Sequence, residues 1–133
     1  MRPPSHDRDI GDDRGAGTLL TFILMPIVMI GIVLLWAFVD LSMLRTKAAG
    51  AADLAALAGA SRLVEDPSSA CAIAGEIAAR NSARMTDCTI DGLDLVVEVS
   101  VASTGIAARL ADWVGASLPP VRHRSRAGAP DGL

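Results

Sequence analysis

Few residues of this 133-residue chain could do chemistry. Cys71 and Cys88 are its only cysteines, His6 and His123 its only histidines, and Asp53 is the one charge inside the alanine run from Ala48 to Ala60. Two thiols can form a disulfide, stay as buried thiols, or contribute to a metal site. Zinc needs about four ligands, and two cysteines with the distant His6 and His123 do not supply such a set. An even pair in a small exported domain reads as a disulfide. Neither histidine has a spaced acidic or nucleophilic partner, so general acid–base and nucleophilic roles find no support. Ser68-Ser69 and Ser69-Ala70-Cys71 are not nucleophile elbows. Gly15-Ala16-Gly17 opens an apolar stretch instead of following a strand, so it is no phosphate loop. The basic cluster Arg122, His123, Arg124 and Arg126 could meet anionic lipid or nucleic acid, but it lacks interleaved aromatics, and the net charge is −3. It reads as a solvated strand edge. The expectation is therefore a non-enzyme with no cofactor, no metal and no nucleic-acid partner.

These residues must be positioned by other elements, and the clearest of those runs from Thr18 to Val39. No charge interrupts it, and its length of about 22 residues would rise roughly 33 Å as a helix, enough to cross a hydrocarbon layer of about 30 Å. Trp36 and Phe38 near its outer end suit a membrane interface. A cleaved signal peptide would have a shorter apolar region, of about 7–15 residues, followed by a small-residue cleavage site. Trp36-Ala37-Phe38-Val39-Asp40 follows here, so the segment anchors. The basic residues Arg2, Arg8 and Arg14 before it and Arg45 and Lys47 after it leave orientation undecided by charge. The cysteine pair decides it. Both cysteines lie beyond the span, which places the N-terminus in the cytoplasm and the following domain outside, with membrane lipid as a partner.

Beyond the span the helical pattern continues. Proline is absent from Leu41 to Val64, alanine dominates, and Glu65-Asp66-Pro67 is the first breaker. The small residues Ala48, Ala52, Ala56 and Ala60 would admit close approach by another helix, or would pack on the chain's own domain. Asp53 would face water or, if its face packs on that domain, need an arginine or backbone N–H groups; Arg80, Arg84 and Arg109 are the candidates. Pro26 inside the span should kink or locally adjust the helix.

After Pro67 the pattern changes to a small module. A helix capped by Ser68 or Ser69 begins near Ala70 and ends at Arg80, with Asn81 as a left-handed terminator. Residues 82–88 then return so that Cys88 meets Cys71. Asp91-Gly92 marks a turn, and Leu93 to Ala102 alternates as a strand with Leu95, Val97, Val99 and Val101 on one face. Thr104 would cap a helix over 105–114 with Leu110, Trp113 and Val114 inward, and Val121 to Ala127 would form an edge strand. Aromatics make up only 3% of residues against 51% hydrophobic overall, so any core must be aliphatic and small. The fold class is α+β: a long N-terminal transmembrane helix extended into an alanine-rich rod, then one or two short helices and a two- to three-stranded antiparallel sheet. The expected divisions are 1–17 leader, 18–39 span, 40–66 rod, 67–127 disulfide-linked module and 128–133 tail.

Taken in order, Arg14-Gly15-Ala16, the span with Pro26, Ala51-Ala52-Asp53-Leu54-Ala55-Ala56-Leu57-Ala58, Cys71, Asn81, Cys88, Asp91-Gly92, the valine-rich strand and Arg126-Ala127-Gly128 resemble the actinobacterial TadE/TadG-like proteins. These are pseudopilin-like proteins of Flp (tight-adherence) pilus and secretion neighbourhoods. The resemblance implies a pilin-like module and a component of a pilus or secretion apparatus. Its partners would be other TadE/TadG-like or pilin subunits and secretion platform proteins. It also implies a leader clipped by a prepilin peptidase at Gly15 or Gly17. TadE and pilin sequences commonly carry a glutamate shortly after that point, where this chain has Leu20 or Phe22, and no acidic residue occurs between Gly15 and Val39. Inefficient or absent cleavage is the expectation. A membrane-tethered adaptor with an extracytoplasmic binding domain is the alternative function.

Overall fold

The computed structural model describes residues 13–128, with side chains from Gly17 onward; His6, Arg2 and Arg8 lie outside the described residues. The elements run α1 (Asp13–Ala60), α2 (Pro67–Arg80), β1 (Arg84–Asp91), β2 (Asp94–Val101), α3 (Ile106–Trp113) and β3 (Val121–Gly128). The fold is α+β, with one antiparallel sheet ordered β1-β2-β3. The chain divides into two compact units, one up to Trp36 and one from Ala37 onward.

In the first unit α1 carries the apolar stretch, and it continues through Pro26 as a helix. A proline there removes the donor that would meet the Phe22 carbonyl. Thr21 meets its own hydrogen-bonding need by donating to the Gly17 carbonyl, at 2.8 Å. The large apolar side chains between Leu19 and Trp36 are all exposed.

The second unit is held by alanine. The rest of α1 turns Leu44, Ala48, Ala51, Ala52, Ala55 and Ala56 inward, three and four residues apart, and α2 adds Ala70, Ala74 and Ala78. β2 alternates strictly and buries Leu95, Val97, Val99 and Val101. Leu95, Val97 and Val99 are the largest fully buried side chains, so the core is thin and the backbones lie close. Gly59 marks the closest approach. A methyl group there would overlap Leu95 Cδ2, and would come within 2.8 Å of the Ala70 carbonyl oxygen and 3.2 Å of Ala74 Cβ.

Several boundaries differ from the sequence expectation. α1 stops at Ala60, short of Pro67, and residues 61–65 form tight turns in which Arg62 donates to Gly59 and Leu63 to Ala60. These turns bury Leu63. α2 begins at Pro67, whose fixed φ and missing N–H suit the first helical position. Its cap is Asp66 and not Ser68 or Ser69: the Asp66 carboxylate accepts from the Ser68 backbone N–H at 3.1 Å and from the Ser68 hydroxyl at 2.5 Å. Hydrogen bonds from the Ser68 side chain, then Ser69, hold this carboxyl below its ordinary value. The cap is thus complete above the ordinary carboxylate range and lost as pH falls through the lowered value. α2 ends at Arg80 as expected, but the left-handed residue is Ser82 (φ 57°), while Asn81 keeps φ −93°. Asn81 instead donates its side-chain amide to the Ile77 carbonyl.

β1 was not apparent as a strand because a bulge interrupts it. Met85 pairs with Val99 and Asp87 with Glu98, leaving Thr86 as the extra residue. The bulge changes the parity of the strand, so Met85, Cys88 and Ile90 stand opposite the inward residues Val99, Val97 and Leu95. α3 is also turned differently. Trp113 is 85% exposed and Val114 is exposed, Leu110 is half-buried, and Ala107 is the residue that faces the core. An eight-residue helix against so thin a core has room inward only for a small side chain.

Two glycine substitutions should separate close packing from helix propensity. Gly59→Ala is expected to lower stability by about 1–3 kcal/mol, because the Ala70 backbone must shift. Gly50→Ala, where an added methyl meets nothing within 4 Å, should be neutral or stabilising by up to about 1 kcal/mol. Pulse proteolysis across a urea series on the detergent-solubilised chain reads both signs.

Candidate functional site

No buried polar or charged side chain occurs among the described residues. The polar contacts described next lie on surfaces and at helix ends, beside one covalent closure. The structure bonds Cys71 of α2 to Cys88 of β1, with Cα atoms 6.0 Å apart and a sequence separation of 17. Loop closure of that size is worth about 3 kcal/mol in the chain-entropy picture.

Asp53 lies on the exposed side of α1, and its partner is none of Arg80, Arg84 or Arg109. It accepts a 2.6 Å hydrogen bond from the Ser125 hydroxyl of β3. Ser125 stands opposite Val97 in register, so it shares the inner parity of β3 with Val121 and Ala127 and points toward α1. A neutral hydroxyl suffices because Asp53 is open to water, and an arginine is not needed to offset desolvation.

Asp40 carries a contact that the sequence did not suggest. Its Oδ2 accepts from the Ala107 backbone N–H at 3.5 Å, at the first turn of α3. α3 has no side-chain cap of its own, and Gly105, not Thr104, occupies the cap position. At φ 106°, with no Cβ, Gly105 leaves space that the Asp40 carboxylate occupies. An acidic residue distant in sequence thus serves as the anionic partner of the helix N-terminus. Nothing local in the sequence signals such a cap.

The basic cluster is paired across the outer face of the sheet. Arg124 lies 3.5 Å from Asp87, and Arg122 lies 3.9 Å from Glu98. Arg126 Nε donates to Asp94 at 2.7 Å and its guanidinium also reaches Asp91, at 3.6 Å. These exposed pairs are each worth less than about 1 kcal/mol, but they occupy the cationic groups that an anionic ligand would need. His123, on the opposite parity across from Val99, is exposed.

The alanine stripe proves to face the chain's own module: Ala48, Ala52 and Ala56 are fully buried, and Ala60 is half-buried beside them. What α1 leaves outward in this unit is a different line. Met43, Lys47, Gly50, Leu54 and Leu57 recur alternately four and three residues apart, and all are exposed. Leu57, Val64 and Leu93 border an open hollow with Arg126, Ala127 and Gly128 on its far side.

Residues 15–62 match the family model described as putative Flp pilus-assembly TadE/G-like. The match takes in α1 and stops at Arg62, before α2 and the sheet. It supports a role as a component of pilus assembly. Comparison with curated proteins and with solved structures finds no match.

The two aspartates should behave differently on substitution. Asp40→Ala is expected to cost α3 about 1 kcal/mol, read as roughly fivefold faster exchange of the Arg109 and Leu110 amides. Asp53→Ala, with its exposed single contact, should change module stability by no more than about 0.5 kcal/mol. Hydrogen exchange followed by mass spectrometry measures both. Equal effects on α3 would remove the Asp40 cap from the account.

Proposed function

We propose that this chain, TadE/G-like along α1, is a non-enzymatic single-pass membrane component of a Flp-type pilus or a related secretion apparatus. The observation that carries the reading is an apolar helix whose large side chains find no cover among the described residues, lying inside the segment that matches the pilus-assembly family. Lipid is the medium that suits such a surface. On this reading residues 18–39 span the bilayer and 40–127 stand outside it, with 1–17 in the cytoplasm. The Cys71–Cys88 bond supports the outward placement, because disulfides persist in oxidising compartments.

The proposed mode of action is helix packing along the outward line of α1. Alternating steps of four and three residues define a seam that a second helix can follow, and Gly50 at its middle would let the backbones approach closely. The partners in this reading are other TadE/G-like or pilin subunits and the secretion platform. Leu20 and Phe22, in place of a glutamate after Gly15 or Gly17, support an uncleaved anchor. The adaptor reading draws on the hollow beside Leu57, Val64 and Leu93, which lies largely beyond the matched segment and could receive an unrelated partner.

Two measurements test this. A photo-crosslinking residue at Leu57 in intact cells should capture pilus or platform subunits, whereas one at Glu76, on the exposed side of α2, should not. Capture of unrelated proteins only would favour the adaptor. From the same cells, alkylation without reduction should leave Cys71 and Cys88 unmodified, and N-terminal sequencing should find no uniform start at Ala16 or Thr18. Freely alkylated thiols would overturn the outward placement, and a uniform start at either residue would overturn the uncleaved anchor.

A further inference from the structure

We infer that α3 is a membrane-surface element, lying in the headgroup region of the bilayer with its Ile106–Arg109–Trp113 face toward lipid. The inference rests on the anchoring reading above. Its starting point is Asp40, the first ionisable residue after the uncharged stretch Thr18–Val39. A carboxylate is costly in hydrocarbon, and Phe38 and Val39 immediately before it are exposed apolar side chains, so the edge of the hydrocarbon falls close to residue 40. That same carboxylate contacts the backbone N–H of Ala107. The first turn of α3 is therefore held at the depth where the span leaves the bilayer. The Gly105 backbone, which would clash with Asp40 if it carried a Cβ, brings the two together.

The exposed face of α3 has the composition that this depth requires. Ile106, Arg109 and Trp113 are spaced i, i+3, i+7 and share one side of the helix, all exposed, while Ala107 on another side faces the core. Trp113 is 85% exposed and Val114 67% exposed, with Leu118 continuing the apolar surface beyond the helix. In water such a set is unfavourable. Within a headgroup layer, the indole places an apolar ring against the acyl boundary and its N–H among polar groups. The Arg109 stem lies along the apolar layer while its guanidinium reaches phosphate. α3 carries one cation, Arg109, and one anion, Asp112. Apolar burial, not net charge, must supply the contact, so it should form equally on zwitterionic and anionic lipid.

The full chain contains two tryptophans, Trp36 within the span and Trp113 on α3, and each can be read alone. In vesicles of phosphatidylcholine with brominated acyl chains, the Trp36→Phe chain reports Trp113 and the Trp113→Phe chain reports Trp36. The expected result is blue-shifted, quenched emission from Trp113, stronger with bromines near the headgroup than near the bilayer centre, and unchanged when anionic lipid is added. If Trp36 is quenched while Trp113 emits as in water, the anchor holds and this inference is overturned, leaving Trp113 for a protein partner. If neither is quenched, the anchoring reading fails and this inference falls with it.

Discussion

The backbones of α1 and α2 and the Leu95 side chain meet so closely at Gly59 that a single methyl group does not fit there. Most other features of the second unit follow from that approach. Helices come this close only when the facing residues are small, which is why the buried faces of α1 and α2 are alanine nearly throughout. Alanine faces bury little apolar area per residue, and the few large side chains in the core come from one strand. A core of that kind gives a modest hydrophobic driving force. The covalent link between α2 and β1 is then a substantial part of the module's stability, as in small domains generally, whose cores alone supply little.

The link in turn depends on the bulge at Thr86. Without an extra residue, a strand that places Met85 opposite Val99 would put Cys88 on the outward face, away from Cys71. This is also why β1 was the least legible element. Its apolar residues Met85, Cys88 and Ile90 are spaced three and then two apart, which matches neither strand nor helix periodicity. β2 was legible because four inward aliphatics alternate without a break, and β3 because its arginines alternate just as regularly. The end of α2 and the pairing of Cys71 with a returning chain could be reasoned from reach alone. What sequence periodicity could not supply was the identity of partners distant along the chain. Asp40 beneath α3, Ser125 against Asp53 and the outward turn of Trp113 each depend on which elements meet, and none leaves a local signature.

Charge is distributed accordingly. The carboxylates of the sheet pair with the arginines of β3, Asp66 closes the start of α2 and Asp40 the start of α3, so the acidic residues of the second unit serve mainly to organise its surface and helix ends. The exposed features of the second unit are apolar lines and rims, which suit recognition by surface fit.

Those demands converge on α1, and they explain how one helix can carry the family pattern while the rest of the chain lies beyond it. Its first part must be apolar around its whole circumference. Its later part is small on one side, where α2 and the sheet pack, and leaves Met43, Lys47, Gly50, Leu54 and Leu57 exposed on the other. Few sequences satisfy all of these together, so the segment from Gly15 to Arg62 is distinctive in pattern even with low complexity. A three-stranded sheet asks only for inward aliphatics and outward polar groups, a requirement met by very many sequences. An assembly that recognised its components through α1 would therefore leave the sheet and α3 free to take on separate tasks, and an outward tryptophan on α3 is compatible with such a division.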